Sequence, residues 1–148
     1  MKKENVSIAV ACDHAGYELK NELIAVLTKD GYQVTDLGCN GESCHYPVFA
    51  KALCQELIAG KAKFGLLVCG TGAGMMMCAN KHRGIRAMLA SDEFSVEKSR
   101  SHNNANVLCL GGRVLSTEKA IELTKLFLST DFEAGRHRER VEMFDEIL

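Results

Sequence analysis

At 148 residues, with 47% hydrophobic and 25% charged side chains, the chain is long enough to fold as one domain, 1–148, around its own core without a staple. A net charge of -1 gives no electrostatic reason to expect nucleic acid or an anionic membrane as partner, which leaves small molecules or copies of itself. Met1 to Asn5 is charged and no apolar run approaches the roughly 18 residues of a membrane span, so a cytosolic address is expected. Seven cysteines without a C-x-x-C pair are expected to be free thiols rather than a disulfide framework.

Val6 to Cys12 is an apolar, β-branched run that reads as a strand and ends at Asp13-His14. Ala15, Leu19, Leu23, Ile24 and Leu27 follow at helical spacing until Gly31, and Tyr32 to Leu37 alternates like a short strand. Pro47 marks the start of a helix reaching about Ile58, closed by Gly60. Phe64 to Cys69 reads as a buried strand, followed by a helix from the Gly70 to Gly74 turn to about His82. A strand at Ile85 to Ala90, a helix near Asp92 to Ser101 and a strand at Asn106 to Leu110 come next. Ser116 reads as an N-cap, with Ala120, Leu123 and Phe127 on one helix face. A last helix is expected over roughly 133–148, with Val141, Phe144 and Leu148 packing inward.

This alternation predicts a three-layer α/β/α sandwich on a mainly parallel, five-stranded, Rossmann-like sheet with right-handed crossovers. Ligands of such sheets bind beyond the carboxyl ends of the strands. Asp13-His14, Cys69-Gly70-Thr71 and Gly111-Gly112-Arg113 all fall at that rim.

The turn Gly70-Thr71-Gly72-Ala73-Gly74 follows the third strand and is spaced G-x-G-x-G. That disfavours nicotinamide binding, and without a G-K-[ST] ending it is no triphosphate loop. Cys69 is either a buried small hydrophobe or, facing the N–H groups and positive end of a following helix, a thiol activated as base or nucleophile. Cys39 to Cys44 with His45 is too sparse for a zinc site. Arg136 and Arg140, spaced i,i+4, form either a solvated basic face or a phosphate clamp. Ser101-His102-Asn103-Asn104-Ala105-Asn106 is either a helix end and loop or a functional cluster, and Asp13-His14 is equally a helix cap or a site.

Taken together, several ordered motifs resemble the ribose-5-phosphate isomerase B family of sugar-phosphate isomerases, which includes galactose-6-phosphate and allose-6-phosphate isomerases. They are Cys12-Asp13-His14-Ala15-Gly16-Tyr17 with Leu19-Lys20, Val68 to Gly74 with Ala79-Asn80-Lys81, Gly84-Ile85-Arg86-Ala87, Ser101-His102-Asn103 with Asn106-Val107-Leu108, Gly111-Gly112-Arg113-Val114, and Gly135-Arg136-His137 with Arg140. The resemblance spans nearly the whole chain. It implies a reversible aldose-ketose isomerisation in the pentose phosphate pathway, through an enediolate, with no organic cofactor and no metal.

By this resemblance Cys69 is the base, Thr71 the hydroxyl beside it, and His102, with Asp13, the group that opens the sugar ring. Gly70, Thr71, Gly72, Ala73 and Gly74 supply enediolate-stabilising N–H groups, and His14, Arg113, Arg136 and Arg140 hold the phosphate. The resemblance further implies a homodimer or dimer of dimers with shared active sites, in which His102, Asn103 and Arg113 reach the neighbour's pocket. Some relatives place a glutamate base just after the turn; Met75 stands there, which implies the cysteine type. His45-Tyr46-Pro47 departs from the family's usual aspartate before Tyr-Pro, which bears on sugar preference. The expected activity is ribose-5-phosphate isomerisation, with a hexose-6-phosphate isomerase or a non-catalytic phosphosugar-binding companion subunit as alternatives. A thiol redox protein is a third reading, motivated only by the cysteine count.

Overall fold

In the computed structural model, which describes residues 2–147, five strands form one all-parallel sheet: β1 (Ser7–Cys12), β2 (Gln33–Asp36), β3 (Phe64–Cys69), β4 (Ala87–Leu89) and β5 (Val107–Gly111). Their spatial order is β2-β1-β3-β5-β4, every neighbour parallel. The helices are α1 (Tyr17–Lys29), α2 (Tyr46–Ile58), α3 (Ala73–Ala79), α4 (Glu93–Ser101), α5 (Thr117–Ser129) and α6 (Gly135–Glu142). No helix among the described residues is long and apolar enough to cross a membrane.

Strand side chains alternate between faces, so each strand feeds two cores. Ile8, Val10, Cys12, Leu66, Val68, Leu108 and Leu110 meet Leu19, Leu23 and Leu27 of α1, Val96 of α4 and Leu123 and Phe127 of α5. Ala9, Ala11, Leu67, Cys69 and Cys109 face Leu53 and Cys54 of α2 and Met75 and Ala79 of α3. Each fully buried Leu contributes about 1.5–3 kcal/mol. The three-layer sandwich expected from the β-α rhythm is present. So is the Ser116 cap, whose hydroxyl accepts the Lys119 N–H at 3.1 Å.

Three elements differ from expectation, each through a long-range polar bond. The helix after the glycine turn stops at Ala79 rather than near His82, because the Asn80 amide takes both backbone groups of Ala87, at 2.8 and 2.9 Å. Strand β4 is shorter than Ile85 to Ala90 because the Asn106 side-chain Oδ1 accepts the Arg86 N–H at 2.8 Å in place of a ladder bond. The helix expected over 133–148 runs only Gly135–Glu142, followed by a 3-10 turn at Phe144–Glu146. There Asp145 accepts the Gly84 N–H at 3.0 Å, and its carbonyl accepts a bond from the Arg83 guanidinium. Phe144, expected inward, is 40% exposed; Leu148 lies outside the described residues.

Candidate active site

The carboxyl ends of β1, β3 and β5 are stitched together by backbone bonds. Asp13 N–H donates to Val68 O at 3.1 Å, Gly112 N–H to Cys69 O at 2.8 Å and Arg113 N–H to Gly70 O at 3.0 Å. Close approach is built into the sequence: a Cβ on Gly16 would lie 2.5 Å from Val68 O. Asp13, Cys69 and Arg113, distant in sequence, therefore converge on one rim.

Cys69 is 5% exposed, and its Sγ accepts the Gly72 N–H at 3.1 Å. Gly72 reaches that position with φ +83°, a conformation costly to any residue with a Cβ, and a Cβ there would also sit 2.7 Å from Leu89 Cδ1. The bond holds the sulfur against the start of the turn. Burial, foremost, pushes the Cys12 and Cys54 thiols up to about 12 and raises Cys109 well above its usual range. Those three thiols stay protonated near neutral pH.

Thr71 Oγ1 accepts the Ala73 N–H at 3.2 Å, so its recorded partner is the helix start rather than Cys69. With Gly72 engaged by sulfur and Ala73 by Thr71, the turn's remaining donors are the N–H groups of Gly70, Thr71 and Gly74, unpartnered among the described residues. The site is polarised by N–H groups on a small-anion scale.

One Asp13 oxygen caps the turn after β1, accepting Ala15 and Gly16 N–H at 2.9 and 3.2 Å. His14 is exposed, its Nδ1 accepting Cys44 N–H at 3.4 Å. Arg113 crosses Gly70, its Nη1 3.7 Å from where a Gly70 Cβ would stand. Arg136 and Arg140 are exposed on α6 and make no hydrogen bond or ion pair among the described residues. An unpaired guanidinium pair one turn apart is suited to a phosphate.

His102 caps α4; its ring stacks on His137 with centroids 4.1 Å apart. The asparagines beside it are of two kinds. Asn104 accepts from Arg100 at 3.0 Å, and Asn106 bonds Arg86 and Gly84, so both brace the structure. Asn103 is exposed and lines a cavity of about 360 Å³ with Asn80, Arg86 and Phe144, away from Cys69. Tyr46, to which the sequence motifs assign no role, has its ring 2.7 Å from where a Gly74 Cβ would stand, forming a wall beside the turn. The glycine at 74 was the available signal. His45 precedes it, exposed and making no side-chain capping bond.

A thiol under a backbone donor at the carboxyl edge of a parallel sheet, with an exposed arginine pair on a separate helix, points to an α/β enzyme acting on a small anionic substrate. Comparison with known proteins narrows that class. Residues 8–144 match the ribose/galactose isomerase family. The chain is 40% identical over 141 residues to ribose-5-phosphate isomerase B of Escherichia coli K12, covering 95% of each. It superposes on a ribose 5-phosphate isomerase of Thermotoga maritima with TM-score 0.94 and 45% identity, covering 96% of this chain and 99% of that one. A Mycoplasma genitalium ribose-5-phosphate isomerase B with bound ribulose-5-phosphate matches with TM-score 0.92 and 35% identity, covering 97% and 96%. The chain belongs to the ribose/galactose isomerase family, and it is an isomerase.

Proposed function

We propose that this chain, acting as one domain over residues 1–148, interconverts ribose 5-phosphate and ribulose 5-phosphate with Cys69 as base. The observation that carries the reading is the Gly72 N–H donated to Cys69 Sγ at 3.1 Å, in a fold matched by a relative holding ribulose-5-phosphate.

His102, aided by Asp13, moves the ring hydroxyl proton that opens the sugar. The Cys69 thiolate then takes the proton from C2 of the aldose. The electron pair moves into the C1–C2 bond and negative charge develops on O1, where the unpartnered N–H groups of the turn receive it. Thr71 presents its hydroxyl at the same edge. The O2 hydroxyl proton passes to O1 across the enediolate, and return of the carbon proton from the thiol to C1, as C2=O forms, gives the ketose and restores the thiolate. Preorganised donors of this kind each stabilise such charge by roughly 3–4 kcal/mol. His14, Arg113, Arg136 and Arg140 hold the phosphate, whose binding energy aligns C1 and C2 with the sulfur.

His102 follows α4 and Arg136 and Arg140 lie on α6, elements other than the strand end and turn that hold Cys69, which supports a homodimer or dimer of dimers with sites shared between copies. Asn103, exposed next to His102, joins the same shared wall. A cytosolic location in the pentose phosphate pathway follows from the reaction. The test is turnover of ribose, allose and galactose phosphates with chelator present. Turnover of the ribose ester alone supports the assignment; preference for a hexose ester would reassign the substrate, and phosphosugar binding without turnover would make the chain a companion subunit.

A further inference from the structure

Glu133 and His137 are used neither by the fold's core nor by the proposed reaction, yet they converge on His102. The His102 and His137 rings lie face to face, 14° from parallel. Each Nε2 is 3.7 Å from the same oxygen, Glu133 Oε2, and the three ligand atoms lie within 4.8 Å of one another. Donors bound to one ion at about 2.1 Å in a tetrahedron stand about 3.4 Å apart, so the donor atoms are near the required spacing, and the two rings must turn out of their face-to-face stack for both lone pairs to meet one ion.

Separate elements fix the three groups. His102 sits at the end of α4, His137 in the first turn of α6, and Glu133 is tied to α4 through its N–H, which donates to Ser101 O at 3.0 Å. His137 is 8% exposed, whereas His102 and Glu133 open to solvent, leaving a route in and a free fourth position.

We propose that His102, Glu133 and His137 form a site for a zinc-like divalent transition metal, whose occupation ties up His102 and switches ring opening off. Two imidazoles and a carboxylate are the donor set of a zinc site with an open position. The bound ion takes the His102 lone pair that would otherwise carry the sugar's proton. Arg136 and Arg140 repel a cation, so the site binds the metal less tightly than an isolated donor set of this kind. The inhibitory role rests on the isomerase reading; the metal site itself does not.

The test is calorimetric titration of the full chain with zinc chloride, with cobalt as optical probe. Wild type and Cys69→Ala should bind one ion with equal affinity, and bound cobalt should show no thiolate charge-transfer band. His137→Ala and Glu133→Gln should each weaken binding by at least about tenfold, since loss even of an outer partner of a metal ligand costs that much. No zinc binding, binding unchanged in both variants, or a thiolate band would overturn the site. Zinc should also slow isomerisation by wild type, reversed by chelator, and slow Glu133→Gln less at equal zinc. Binding without inhibition would overturn the switch. A protein that binds zinc at these residues but isomerises no phosphosugar would refute the reaction and leave the site standing.

Discussion

The strand-end region around Cys69 and the rim formed by α4 and α6 are built by different means. Around Cys69 the positions are set by backbone: three inter-loop N–H···O bonds, a left-handed Gly72 and contact distances that exclude a Cβ. On the rim they are set by side chains, with Arg136 and Arg140 exposed and unpaired and His102 held by ring stacking and a carboxylate. Chemistry that needs a fixed donor is placed where the main chain supplies it. On the proposed reading, recognition of the phosphate is left to long cationic side chains.

If the two regions form one site only across copies, the largest effect is complementation. Cys69→Ala and His102→Ala should each be nearly inactive. Unfolded and reassembled together, they should recover about one quarter of wild-type turnover, because half of randomly formed dimers are mixed and carry one intact site of two. No recovery would place both residues in a site within one chain.

The rim should respond in binding and the strand ends in stability. Arg136→Ala and Arg140→Ala should each raise KM about tenfold or more, from the loss of about 1.5–3 kcal/mol of charged hydrogen bonding, and should leave the urea midpoint nearly unchanged. Gly72→Ala should lower unfolding free energy by about 1–3 kcal/mol, through strain at positive φ and collision with Leu89. A destabilised arginine variant or an unaffected Gly72 variant would erase the contrast.

The smallest expected effect is on pH. The folded state holds His137 below its usual value of 6.5, chiefly by burial, so the unfolded chain binds more protons near that pH. Stability should therefore fall as pH drops through 6.5, and His137→Gln should flatten that part of the urea profile.

Much of the strand-end region was legible in the sequence because its causes are local. An apolar run, a cysteine and a glycine-spaced turn state their own geometry, and alternation of strand and helix placed Asp13, Cys69 and Arg113 on one edge. The rest depended on contacts between distant residues. Asn104 and Asn106 read as part of a functional cluster but brace Arg100, Arg86 and Gly84. Asn80 and Asp145 end their helices by bonds to Ala87 and Gly84, which no periodicity reveals. Tyr46 faces Gly74 and Glu133 faces two histidines only because of how α2 and α6 pack.

The central claim is that Cys69 moves the sugar's proton. It is tested most directly by incubating wild type and Cys69→Ala with ribose 5-phosphate in deuterium oxide and following deuterium entry at C2 of the sugar, with phosphosugar affinity measured in parallel. The variant should bind the sugar as wild type does, while exchange and turnover fall on the order of 10²–10⁴-fold. Exchange within a few-fold of wild type would contradict it.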